Sequence, residues 1–283
     1  MSPVLIIAGL TLREAVRRRI ALAALALGTL FVLVYNIALY FVIREWSASG
    51  FTEFQQGAVQ RAVLNGLALA GLYAINFLSL ALGALLAADT LAGEINSGAI
   101  QSIVTKPLAR WQVVAGKWLG FAAMLALYLG LMCAGVLIGL AVQADYRLPG
   151  LERGLPALWL ISLLVMTITL TLSSRISSLA TGGVIFGLYG LGFIGGAVEQ
   201  IGTALENQSA IDIGIFSSLL IPTEALWRWA SGQMTSPLVQ AVGAVTPFSG
   251  FGNPPSTLML AYAGLYLLVA FGLGVRWFSR RDL

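Results

Sequence analysis

Long apolar runs alternate with short polar breaks along this chain. Uncharged apolar stretches occupy residues 20–43, 62–88, 118–142, 154–174, 176–198 and 256–275. Each is long enough to cross a hydrocarbon core of about 30 Å as a helix. None shows the ten-residue alternation of an outer-membrane strand. The pattern predicts an all-α polytopic membrane protein with six transmembrane helices, a single transmembrane domain over residues 1–283.

The breaks are unequal. Spans four and five are separated by a tight hairpin around Arg175, whereas residues 199–255 make a long detour between spans five and six. That detour holds two apolar pieces, residues 213–221 and 238–245, bounded by Pro222, Pro237 and Pro247. Both are too short to cross, which fits a broken re-entrant or external segment whose backbone is satisfied by protein or water. A seventh and eighth span are the alternative. Ahead of span one, residues 2–19 mix Leu5, Leu12 and Val16 with Arg13, Arg17 and Arg18. This is the profile of an amphipathic interfacial helix, or of a basic flank that anchors span one. The run 20–43 exceeds the roughly 7–15 apolar residues of a signal peptide, so it reads as a retained span.

Composition agrees with the pattern: only 10% of residues are charged, where soluble domains carry about a quarter. With the N-terminus inside, only Arg44, Arg61, Arg147, Arg153 and Arg228 of the 16 Lys and Arg fall on the outer face. The asymmetry places both termini in the cytoplasm, with the chain multi-pass in the inner (plasma) membrane. It also explains the basic balance without nucleic-acid binding. The chain has no histidine, which excludes histidine metal sites and histidine acid–base chemistry.

Two motif matches carry no chemistry. Gly190 to Gly195 satisfies G-x-G-x-x-G, but it lies inside span five with no preceding strand. Close helix packing explains such glycines better, and Gly183 with Gly187, like Gly192 with Gly196, has small-xxx-small spacing. The Gly116-Lys117 pair lacks the rest of a phosphate loop, since Trp111 and Trp118 replace its leading glycine and its Ser or Thr. No cofactor is expected in this chain. The spans carry no charge near the middle, so the carboxylates of a proton- or sodium-coupled carrier are missing. Asn36, Asn65, Asn76, Ser79 and the run Thr167 to Thr171 read as hydrogen bonds between helices. Any energy for transport must then enter from outside the bilayer.

The stretch Asp89 to Gly120 is the densest polar cluster in the chain. From Gly93 to Val104 the apolar residues Ile95, Ala99 and Ile103, with Ile100 and Val104 beside them, recur at helical spacing, and Glu94, Asn96, Ser97 and Gln101 take the other side. A short amphipathic helix starting near Gly93 is expected. Lys106 before Pro107 breaks it, and Pro107 suits the first turn of the next helix. Arg110 and Lys117 then lead into span three as headgroup anchors.

The run Asp89, Glu94, Gly98, Ile100, Thr105-Lys106-Pro107, Arg110, Gly116-Lys117 and Gly120 resembles the loop between spans two and three of ABC-2 type permeases. Ala99 departs from the Thr often found there. The resemblance implies that residues 89–112 form a cytoplasmic coupling loop, with Glu94, Ile95, Gly98, Ala99, Ile100, Ile103, Lys106, Pro107 and Arg110 engaging a separate ABC ATPase. It implies two ATPase copies that hold ATP and Mg²⁺, and a second permease in a homo- or heterodimer. It also implies export of a hydrophobic or amphipathic substrate through a cleft lined by spans two and five. Two other classes remain open on the residues alone. One is a membrane enzyme acting on lipid through Glu199, Glu206 and Asp212. The other is a non-transporting membrane anchor for an ATPase.

Overall fold

The computed structural model describes residues 2–48, 53–96, 109–236, 239 and 255–280. Those residues form nine helices: α1 Pro3–Arg17, α2 Arg19–Ala48, α3 Glu53–Asn96, α4 Arg110–Ala144, α5 Leu151–Ser173, α6 Ser178–Ala204, α7 Gln208–Leu220, α8 Thr223–Gln233 and α9 Leu258–Ser279. The described residues contain no strand. Six helices, α2 to α6 and α9, are long and apolar enough to cross a membrane, and each overlaps one of the expected spans over most of its length.

The helices overrun the apolar stretches that predicted them. At 44 residues, α3 is about 66 Å long, twice what a bilayer core requires. No proline interrupts it, so its polar ends continue the helix beyond the apolar stretch. Helix α4 begins at Arg110, before the expected span, because Gln112 accepts the free Ala109 N–H at 3.2 Å and caps the new helix there.

Helix α5 is the axis of the bundle. Its most apolar stretch is 72% buried, against 11% for α2, and α3, α4, α6, α8 and α9 all pack on it. Its hydroxyls are satisfied across helices. Ser162 donates to Ser79 at 3.0 Å, Trp118 Nε1 donates to Thr167 at 2.8 Å, and Thr171 donates to the Ala270 carbonyl at 2.8 Å. Asn65 donates to the Met234 carbonyl at 2.9 Å. These are the interhelical bonds expected of polar groups in spans, where no water competes. Outside this core, Leu30, Leu33, Ile37 and Phe41 of α2 stand exposed, an apolar surface suited to hydrocarbon.

The detour after α6 folds back on it. Helix α7 packs along α6, then α7 and α8 bend by 100° across Ile221 and Pro222. Helix α7 covers the first expected apolar piece. Helix α8 was not anticipated, and the second piece lies outside the described residues except Val239. Two glycines of the false dinucleotide match, Gly192 and Gly195, seat this pair together with Gly196. A β-carbon on Gly192 would fall 2.7 Å from Ile221 Cγ2, and one on Gly196 would collide with the Glu224 side chain. Gly183 and Gly187 have the same spacing but open space around their β-carbon positions, so among the described residues they pack against nothing there.

Candidate functional site

The flanks of the polar stretch are fixed by residues far away in sequence. The chain leaves α1 through an extended Arg18, ψ 139°, before α2 starts. Arg18 donates to Glu14 at 2.7 Å and also approaches Asp89 of α3 at 3.8 Å. Ser178, in the first turn of α6, donates to the other Asp89 oxygen at 3.2 Å. Asp89 therefore joins the α1–α2 corner to the start of α6. On the other flank, Arg110 donates to the Ser279 carbonyl at 3.0 Å, which ties the first turn of α4 to the last turn of α9. Beside it the Arg175 guanidinium stacks over Trp277, 5.1 Å from the ring centroid.

Helix α1 is seated on α4 by two small residues one turn apart. A β-carbon at Gly116 would lie 2.6 Å from Ile7, and one at Gly120 would lie 2.7 Å from Thr11. This close approach needs glycine at both positions. Both belong to the run that carried the resemblance, where their role was not evident. Lys117 between them, expected at the headgroups, is instead only 5% exposed.

The anticipated site residues fall as follows. Glu94 and Ile95 lie in the last described turn of α3, a helix unbroken from Glu53, so no new helix starts at Gly93. Gly98, Ala99, Ile100, Ile103, Lys106 and Pro107 lie outside the described residues. Arg110 is in place at the head of α4. Sequence reasoning missed Arg18, Ser178 and Ser279, whose roles depend on contacts across the fold.

Compared with known families, residues 5–283 match the model of the ABC-2 family transporter protein. The chain belongs to this family. It is a multi-pass membrane protein and the permease type of transport component. Permeases of the ABC-2 family generally work with an ABC ATPase. No curated protein matches the chain.

A second polar cluster lies in this ABC-2 chain where α6, α7 and α8 meet α3. Arg228 of α8 gives its two terminal nitrogens to Glu199 of α6 at 2.8 and 2.6 Å, with both side chains largely buried. One turn earlier on α8, Glu224 is 8% exposed and accepts from the Tyr73 hydroxyl of α3 at 3.3 Å. Burial pushes the Glu224 carboxyl up to about 7; the Arg228 charge and the Tyr73 hydrogen bond pull it partly back, and the Glu199 charge raises it further. Of the carboxylates of the lipid-enzyme reading, Glu199 is held by Arg228 and Asp212 accepts from Gln208 at 2.9 Å on α7.

Proposed function

We propose that this permease couples ATP hydrolysis by a separate ABC ATPase to export of a hydrophobic or amphipathic substrate, with residues 94–104 docking in a groove of the ATPase. The observation that carries the reading is the anchoring of both flanks of that segment. Its leading flank is tied to the α1–α2 corner and α6 through Asp89, its trailing flank to α9 through Arg110 and to α1 through Gly116 and Gly120. A push on the segment would reach six helices at once, α3 and α4 directly and α1, α2, α6 and α9 through these ties, which is what a transmission joint needs.

Glu94, Ile95, Gly98, Ala99, Ile100 and Ile103 would form the docking face, and Lys106, Pro107 and Arg110 the return into α4. Glu94 sits in a helix that has run unbroken from Glu53, so no helix N-terminus is there to favour its charge. A cation in the ATPase groove would be its partner. The complex would hold two ATPases, each with ATP and Mg²⁺, and a second permease, identical or related. The Lys and Arg asymmetry puts the Arg18–Asp89 end in the cytoplasm with both termini, in the inner (plasma) membrane. The bent α7–α8 pair is then a re-entrant segment on the outer side. The open Gly183–Gly187 face of α6 is free to line the cleft between permeases, whereas α3 is mostly covered within its own chain.

The test is co-purification of the permease with its ATPase, followed by hydrolysis measurements in lipid against a panel of amphipathic compounds. Stimulation by one compound class is expected. A permease that retains no ATPase, and whose addition leaves hydrolysis unchanged for every compound, would refute the reading.

A further inference from the structure

We propose that Glu224, with Glu199, Arg228 and Tyr73, forms a proton-binding site that latches the bent α7–α8 pair onto the bundle, Glu224 carrying the proton while the pair is docked. The inference is independent of the ATPase-coupled reading, because it concerns the opposite end of the fold.

The geometry begins at the corner. Glu224 is in the first turn of α8, directly after the 100° bend. Its stem lies on Gly196 of α6 and its carboxyl group meets Tyr73 of α3, so one side chain joins three elements. The groups facing it are Tyr73 from α3, Tyr189 and Glu199 from α6, and Arg228 from its own helix. From α5, Arg153 reaches Gln233 at the far end of α8. From α9, Tyr262 and Tyr266 donate to the carbonyls of Leu219 and Leu220 in α7.

The charge count then decides the protonation state. Arg228 forms its ion pair with Glu199, not Glu224. With all three groups ionised, the cluster would hold two carboxylates and one guanidinium, leaving a surplus negative charge almost out of water. The first turn of α8 and the Tyr73 hydroxyl favour the anion, but a dipole and one neutral hydrogen bond do not balance the loss of hydration. Binding one proton makes the cluster neutral, with no other ligand required. The proton has a route for hydrogen-bond rearrangement, because Tyr73 also bonds Tyr189 and can turn from donor to acceptor.

The direction of the pH effect follows by linkage. A carboxyl whose pKa is higher in the docked state than when solvated holds its proton more tightly when docked. Docking is therefore firmest below the ordinary value of 4.5 and weakens as pH rises to about 7. Acid closes the latch and alkali loosens it.

The test is infrared titration of the protonated-carboxyl band on the full chain in lipid nanodiscs, from about pH 5 to about pH 9, paired with thermal unfolding over the same range. Wild type is expected to lose a carboxyl band with a midpoint near 7, and to lose thermal stability as pH rises from 4.5 to that midpoint. Glu224→Gln should lack the titrating band and show a flatter stability profile there. Glu199→Gln supplies a second readout that a merely structural role would not give. It frees Arg228 to pair with Glu224, so the band should titrate at least about one unit lower. The proposal fails if the same band and slope persist in Glu224→Gln, or if Glu199→Gln leaves the midpoint in place.

Discussion

Ile7 of α1 lies against Gly116 of α4 so closely that a β-carbon on the glycine would fall 2.6 Å from it. The N-terminal helix is thus a fitted part of the bundle, joined to α4 through Gly116 and Gly120.

Enlarging that seat should displace α1. Gly116→Val is expected to destabilise the purified chain by about 1–3 kcal/mol, the usual cost of overpacking, read as a lower midpoint of thermal unfolding. Ile7→Ala in the same chain should recover part of the loss, since the two positions share one contact. Recovery stays partial because the Val4 carbonyl also borders the site, 3.0 Å from that β-carbon position. Equal loss in the single and double variants would show that the clash is relieved elsewhere.

Breaking the Glu199–Arg228 pair should be more severe. Arg228→Ala leaves a largely buried carboxylate without its cation, which costs about 3–5 kcal/mol. Arg228→Met with Glu199→Gln removes both charges and should cost markedly less. Thermal unfolding of the three proteins gives the comparison, and a double variant as unstable as Arg228→Ala would contradict it.

At the proposed docking face, Glu94→Lys should detach the ATPase while the permease still reaches the membrane. Losing one partner of a desolvated interfacial pair costs about 2–5 kcal/mol. Glu94→Gln should give a partial form of the same defect. The measurement is the ATPase to permease ratio after affinity purification, and full retention in Glu94→Lys would remove Glu94 from the interface.

Topology can be tested by cysteine labelling in intact cells with an impermeant thiol reagent, in a Cys133→Ser background. Ser97→Cys should be protected and Asn207→Cys labelled. Strong labelling at both positions is incompatible with six spans in the assigned orientation.

What the sequence displayed was whatever depends on neighbours along the chain. The six apolar runs found their helices, and Gly192 with Gly196 pointed to close packing. Helix α8 was invisible for a physical reason: hydropathy counts Glu224 and Arg228 as costs of burial. Their compensation comes from Tyr73 and Glu199, which approach only in the folded chain. Lys117 was misplaced in the same way, since a lysine at the edge of an apolar run does not reveal that the fold will bury it. Gly183 and Gly187 show the converse, a packing pattern without a partner among the described residues.

Tyr73 and Asp89 stand on the same uninterrupted helix, about 24 Å apart along its axis. One belongs to the Glu224 cluster, the other to the frame around the polar segment. The helix contains no proline at which the two ends could move separately. A tilt imposed at Asp89 must therefore carry Tyr73 with it and alter how firmly Glu224 keeps its proton. Reciprocity makes the exchange symmetrical at equilibrium: whatever free energy the tilt adds to proton release, proton release returns to the tilt.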